Sequence, residues 1–187
     1  MSERGTLPFP EPTTAVADQR EVLLGYLAYF RSVVSSKVAD LDESTARASS
    51  LPSGWSPLEL VHHLVHVERR WLDWGFEGQA IDDPWADQRD GRWHVPVGLT
   101  VGDLLETLDD RAELTRKVVL AHRLDELGRP SERWAGQPPA SLERVLLHLV
   151  QEYARHAGHL DVVREILDGE QGEQGSARLT ARSRRGA

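Results

Sequence analysis

Residues 141–169 read SLERVLLHLVQEYARHAGHLDVVREILDG. Leu142, Val145, Leu146, Leu149, Tyr153, Leu160, Val163, Ile166 and Leu167 return at steps of three and four. That is the period of an α-helix with one apolar face. Ser141 stands where an N-cap belongs, after the breaker run GQPPA, and Gly169 stands where a helix closes. The same stripe also carries Glu152 and His156. A carboxylate turned toward a core needs a partner, because an unpaired buried charge is costly.

Three more runs share this period. The first spans about Thr14 to Leu41, with Val22, Leu23, Tyr26, Leu27, Phe30, Val33, Val34 and Val38 on one face and Thr13 or Thr14 as cap. The second opens at Ser56-Pro57, a cap followed by proline at the first helical position, and runs to about Trp74. Gly75 or Gly78 is its expected stop. The third starts near Thr100 and carries Val101, Leu104, Leu105, Leu108, Leu114, Val118 and Val119. No stretch sustains a period of two. The chain therefore reads as all-α, and four helices of these lengths predict a four-helix bundle.

The remaining segments frame that bundle. Residues 1–12 hold three prolines and predict an extended arm; 13–169 form the bundle. Residues 170–187, Gly-rich and polar and then basic, predict a disordered tail. The connection over 75–99 is long for a bundle, where about two to eight residues are usual, and is expected to cover one end.

Composition narrows the function. A chain of 187 residues suits one domain, and its net charge of −8 argues against a nucleic-acid partner, which needs a basic face. There is no cysteine, so disulfides, thiolate metal sites and a cysteine nucleophile are excluded. No apolar run approaches the roughly 18 residues of a membrane span. The N-terminus lacks the pattern of a signal peptide, so a cytoplasmic protein with no membrane partner is expected.

Two helices carry the candidate chemistry. The step from Glu152 to His156 puts both side chains on one face, about 6 Å apart at their Cβ atoms. On the second helix, Leu60, Leu64, Val67 and Trp71 mark the inner stripe, and His63 lies inside that arc. His62 points about 100° away, which predicts a surface position. Facing helices can bring His63, Glu152 and His156 to one point. Two imidazoles and one carboxylate bind a divalent transition metal and leave positions open for water or substrate. The plainer readings are a hydrogen-bonded core histidine for His63 and a buried Glu152–His156 pair. His66 and His159 are candidates for orienting the ligands or transferring a proton. Arg155 is a candidate for an anionic substrate, with a solvated surface arginine as the alternative. His148 is read as a boundary residue, and His94 and His122 as exposed.

The segments GWSPLELVHHLVHVERRW (54–71) and SLERVLLHLVQEYARHAGHLDVVREILDG (141–169) together resemble the DinB-like superfamily. They are most similar to its actinobacterial branch near the mycothiol-dependent maleylpyruvate isomerase. The Trp-Ser-plus-His helix and the Glu-x3-His-x-Gly-His-x-Asp helix carry the resemblance, which extends over roughly 14–169. It implies a four-helix up-down-down-up bundle with a metal between the second and fourth helices. Many relatives use three histidines; the isomerase has a Glu at the earlier position of the fourth helix. Carried onto this chain, the ligands are His63, Glu152 and His156.

The function implied is a metal-dependent, thiol-cofactor S-transferase or isomerase. It would join a low-molecular-weight thiol such as mycothiol to a small-molecule electrophile. The divalent metal would be Zn²⁺, with Ni²⁺, Fe²⁺ or Mn²⁺ as alternatives. A chain with no cysteine is compatible with a borrowed thiol. The competing readings are a metal-dependent hydrolase and a non-catalytic metal-binding stress-response module, the latter as a homodimer packing bundle faces.

Overall fold

The computed structural model describes residues 5–13, 15, 16 and 18–172. Thr14, and residues 173–187 of the expected tail, lie outside the described residues. The described chain is mostly helical: α1 Gln19–Ala39, α2 Glu43–Arg47, α3 Pro57–Glu68, α4 Val101–Ala121 and α5 Leu142–Asp168. None of these helices is long and apolar enough to cross a membrane.

Each long helix begins at a side-chain cap that satisfies an orphan N–H. Asp18, not Thr13, caps α1 by accepting from the backbone N–H of Arg20, so the helix starts later than its apolar period suggests. Ser56 and Glu59 form a capping box at α3, and Thr100 and Asp103 form one at α4. Ser141 caps α5, and Gly169 ends it in the left-handed region at φ 76°. The N-terminal arm is drawn along α1, where Phe9 meets Tyr26 and Tyr29 edge-on.

α1 packs on α4 and α5, and α3 packs on the same two helices. Leu27, Val34, Leu60, Leu64, Leu108, Leu149, Tyr153 and Leu160 fill the space between them. Val22, Leu114 and Ile166, placed on the stripes by their period, are exposed. They sit at the stripe edges, which no facing helix reaches.

Two local features depart from the simple helical reading. First, α3 does not stop at Gly75 or continue as α-helix to Trp74. It passes into a π-helix over Arg69–Phe76, closed by the N–H of Glu77 on the carbonyl of Leu72 at 2.8 Å. Such wide turns are rare and leave carbonyls unpaired at their end. The loop between α4 and α5 supplies the donors. Ser131 Oγ donates to the Trp74 carbonyl at 2.8 Å, Trp134 Nε1 to that of Gly75 at 2.9 Å, and the Arg129 N–H to that of Phe76 at 2.8 Å. A Cβ on Gly128 would lie 2.9 Å from the Phe76 Cα and 3.0 Å from the Gly75 oxygen, so glycine is what lets this loop come so close.

Second, the long connection contains a small antiparallel hairpin, β1 Gln88–Arg89 with β2 Arg92–Trp93. Its turn residues Asp90 and Gly91 both have positive φ, 53° and 73°. An Asp-Gly pair suits a tight two-residue hairpin turn for this reason.

A polar network crosses the core. Glu68, fully buried, accepts from Arg31 Nη2 at 2.7 Å, Tyr153 Oη at 2.6 Å and Thr115 Oγ1 at 2.9 Å. Arg111 forks onto Asp73 at 2.7 and 2.8 Å beside it. One carboxylate thus joins α1, α3, α4 and α5.

Candidate metal centre

α3 and α5 meet with polar side chains between them. His63 on α3 and Glu152 and His156 on α5 each offer one ligand atom, and these atoms lie within 4.8 Å of one another. Glu152 Oε2 is 3.9 Å from His63 Nε2 and 3.4 Å from His156 Nε2. The two rings meet edge-to-face with centroids 5.2 Å apart. The four-residue step on α5 aligns Glu152 with His156, while the packing of α3 on α5 brings in His63. Two imidazole nitrogens and one carboxylate oxygen aimed at one spot form a donor set that suits a divalent transition metal.

Both imidazoles are held from behind. His63 Nδ1 donates to Asp87 Oδ2 at 2.8 Å. That bond places the proton on Nδ1 and leaves the Nε2 lone pair facing Glu152 and His156. Asp87 is fully buried and is gripped by Arg70, with Nη1 to Oδ1 at 2.6 Å and Nη2 to Oδ2 at 3.0 Å. His156 Nδ1 lies 3.2 Å from His159 Nδ1, so one of these nitrogens donates to the other. Trp93 stacks on His63, centroids 4.5 Å apart and planes 18° from parallel, and presents its edge to His156. Trp55 lies against both Trp93 and His159.

The charges follow from these contacts. Burial alone would raise the Asp87 pKa, but hydrogen bonds from His63 and Arg70 and the Arg70 charge outweigh it and hold it at about 2. For His63, burial opposes the cation, yet the hydrogen bond to Asp87 and the neighbouring Glu152 carboxylate prevail and raise its pKa. The neighbouring imidazoles of His156 and His63 hold Glu152 far below the usual carboxylate range.

The other candidates separate. His159 stands beside the cluster through its contact with His156. His66 does not join it: the ring is buried against His62, centroids 4.7 Å apart, and its Nδ1 has no partner. Burial, and then the neighbouring His62, lower its pKa to about 4. His62 is buried rather than on the surface, because the long connection covers it and its Nδ1 donates to the His94 carbonyl at 2.7 Å. His94 is half-buried in that contact. His122 is half-buried too, held between Glu77 at 3.1 Å and Glu126 at 2.9 Å. Arg155 is exposed on α5. His148 lies at the boundary, its ring 4.4 Å from that of Trp71 and its Nε2 3.6 Å from Glu152 Oε1.

Asp87, Arg70 and Trp93 escaped the periodic reading. Asp87 and Trp93 sit in an aperiodic connection, where only the Asp-Gly turn signals that the chain doubles back. Asp87→Asn is expected to weaken zinc binding about 10- to 100-fold, the usual worth of a partner that orients a metal-ligating histidine. Competition against a zinc chelator measures it, with circular dichroism to verify that the helices remain.

The family model for mycothiol-S-transferases matches residues 22–169, a span that contains all three clustered donors. No curated protein matches the chain.

Proposed function

The chain belongs to the mycothiol S-transferase family, and from that premise we propose that it transfers a low-molecular-weight thiol of the mycothiol type onto a small electrophile, with the assistance of a divalent metal. The observation that carries this reading is the convergence of His63 Nε2, Glu152 Oε2 and His156 Nε2 on one spot between two helices. His63, Glu152 and His156 are the residues that would hold the metal, with Zn²⁺ the cation this donor set suits well. Bound there, the cation would supply a Lewis acid that favours thiolate over thiol at neutral pH.

The chain's own residues define the rest. Asp87 and Arg70 fix the ring of His63, and His159 fixes that of His156, so the donors are preorganised. Trp93 and Trp55 form an apolar flank that keeps water from one side of the cluster. No cysteine is present to serve as nucleophile, so the sulfur arrives with the cosubstrate. With an alkyl halide, sulfur bonds to the carbon, the halide departs with its electron pair and the thiol proton passes to solvent; with a Michael acceptor, sulfur bonds to the β-carbon, the π electron pair moves to the α-carbon and a proton is taken up there. The proposal includes an up-down-down-up order for the four long helices and a cytoplasmic setting, where such thiols are kept reduced.

The test uses zinc-loaded protein, mycothiol, and a panel of alkyl halides and Michael acceptors. Conjugate should form faster than in the uncatalysed mixture, and not at all when the thiol is omitted. Consumption of the electrophile without thiol would identify a hydrolase instead. Stoichiometric zinc with no turnover across the panel would leave a metal-binding module.

A further inference from the structure

The loop between α4 and α5 places a cation two side chains away from the His63–Glu152–His156 cluster, and among the described residues no acid pairs with it. Arg133 belongs to the single 3₁₀ turn Glu132–Trp134. Its guanidinium carbon lies 4.1 Å from the centroid of the Trp71 ring. The same ring lies 4.4 Å from that of His148, whose Nε2 is 3.6 Å from Glu152 Oε1. Arg133 is therefore linked to the donor cluster through two side chains.

Its surroundings are those of an incomplete ion pair. Arg133 Nε is buried with no hydrogen-bond partner, and among the described residues no carboxylate pairs with the guanidinium. Burial, and then the charge of Arg70, push its pKa down. The two arginines differ in one respect: Arg70 is neutralised by Asp87, while Arg133 has nothing comparable. Nor is the position loose. Arg129, Ser131 and Trp134 on either side are tied to three carbonyls at the end of the π-helix. A guanidinium held partly out of water on a fixed turn, with Trp71 beneath it, is a favourable place for an anion to dock.

We propose that Arg133 is the anion-docking residue of the site, taking a carboxylate on the electrophile while the reacting carbon faces His63, Glu152 and His156. The substrate class is then an anionic electrophile; this identification rests on the transferase reading above. A planar carboxylate matches the guanidinium fork, and Trp71 supports the other partner of that contact. The arginine that the sequence suggested for this role, Arg155, is exposed on α5.

Benzoate and benzamide, nearly equal in shape and different in charge, test the inference without turnover. Zinc-loaded full-length protein is titrated with each by ligand-observed NMR. Benzoate should bind saturably and more tightly than benzamide. Arg133→Gln, which keeps an aliphatic stem on Trp71, should weaken benzoate about tenfold and leave benzamide unchanged. Arg133→Lys, which keeps charge but not the fork, should recover part of the loss. It also serves as the second variant if Arg133→Gln melts early. No saturable benzoate binding, equal binding of both probes, or benzoate affinity indifferent to Arg133→Gln overturns the inference. Arg133-dependent benzoate binding in a protein with no thiol turnover would keep the docking residue and remove the transferase reading. Turnover with mycothiol that ignores both Arg133 and substrate charge would do the reverse.

Discussion

Glu152→Ala is expected to abolish stoichiometric zinc binding while the helices survive. Glu152 Oε2 stands between the two imidazole nitrogens, 3.9 Å from one and 3.4 Å from the other. Without it, two neutral nitrogens on different helices remain to hold a doubly charged ion. Orienting partners one step behind a ligand are worth about 10- to 100-fold in affinity, so loss of a ligand itself should cost more than about 100-fold. The fold should tolerate the change, because Glu152 is only half-buried at the cluster and lies outside the Glu68 network. His63→Ala and His156→Ala should behave alike. Elemental analysis of protein purified without an affinity tag reads the result, beside the melting temperature of each variant stripped of metal. If Glu152 served merely as a hydrogen-bonded partner for His156, the outcome would invert. The metal-free variant would melt much lower, and the parent would hold no metal to lose. Because binding to the native state alone stabilises it, the parent should also melt higher with zinc than without, and the three variants should not.

The convergence of His63, Glu152 and His156 was legible because all three lie on regular helices. Glu152 and His156 fall on a stripe whose period a sequence displays, and His63 falls between Leu60 and Val67 on another. What lies behind the ligands was not. Asp87 and Trp93 arrive from an aperiodic connection, so no spacing links Asp87 to His63 across 24 residues of chain. His62 misled for a related reason. A helical wheel places it away from the apolar stripe of α3, and only the folded connection shows that this direction is covered. The π-helix was equally hidden, since its wider turn is set by donors from Ser131 and Trp134 rather than by Arg69–Phe76 alone. Arg133 shows the same limit: a lone arginine in a loop becomes notable only once Trp71 and Arg70 are seen beside it.

Glu68→Gln is expected to destabilise the protein by about 3–5 kcal/mol, the usual cost of breaking a buried ion pair from one side. In a chain of this size that is on the order of 10 °C in melting temperature. The carboxylate is fully buried and receives Arg31, Tyr153 and Thr115 together. Glutamine keeps the shape and one acceptor but leaves the Arg31 charge unanswered in the core, where its Nε already has no partner. Burial would raise the Glu68 pKa, but the Arg31 charge, the Tyr153 hydrogen bond and the nearby Arg111 bring it below the ordinary value. A depressed folded value fixes the sign. The stabilisation is complete above the unfolded pKa of about 4.3 and is lost as the pH falls through the lower folded one. Thermal melts of parent and variant should therefore be far apart at pH 7 and approach each other in acid. Salt should change the gap little, since the pair is shielded from counterions. The same substitution is expected to reach the His63–Glu152–His156 cluster indirectly. Glu68 is the last residue of α3 before the π-helix, and Tyr153 follows Glu152 on α5. Their 2.6 Å bond ties α3 to α5 one residue away from Glu152. A zinc affinity that falls in Glu68→Gln, with all three ligands intact, is the result this coupling requires. Unchanged affinity in a destabilised variant would confine the network to stability alone.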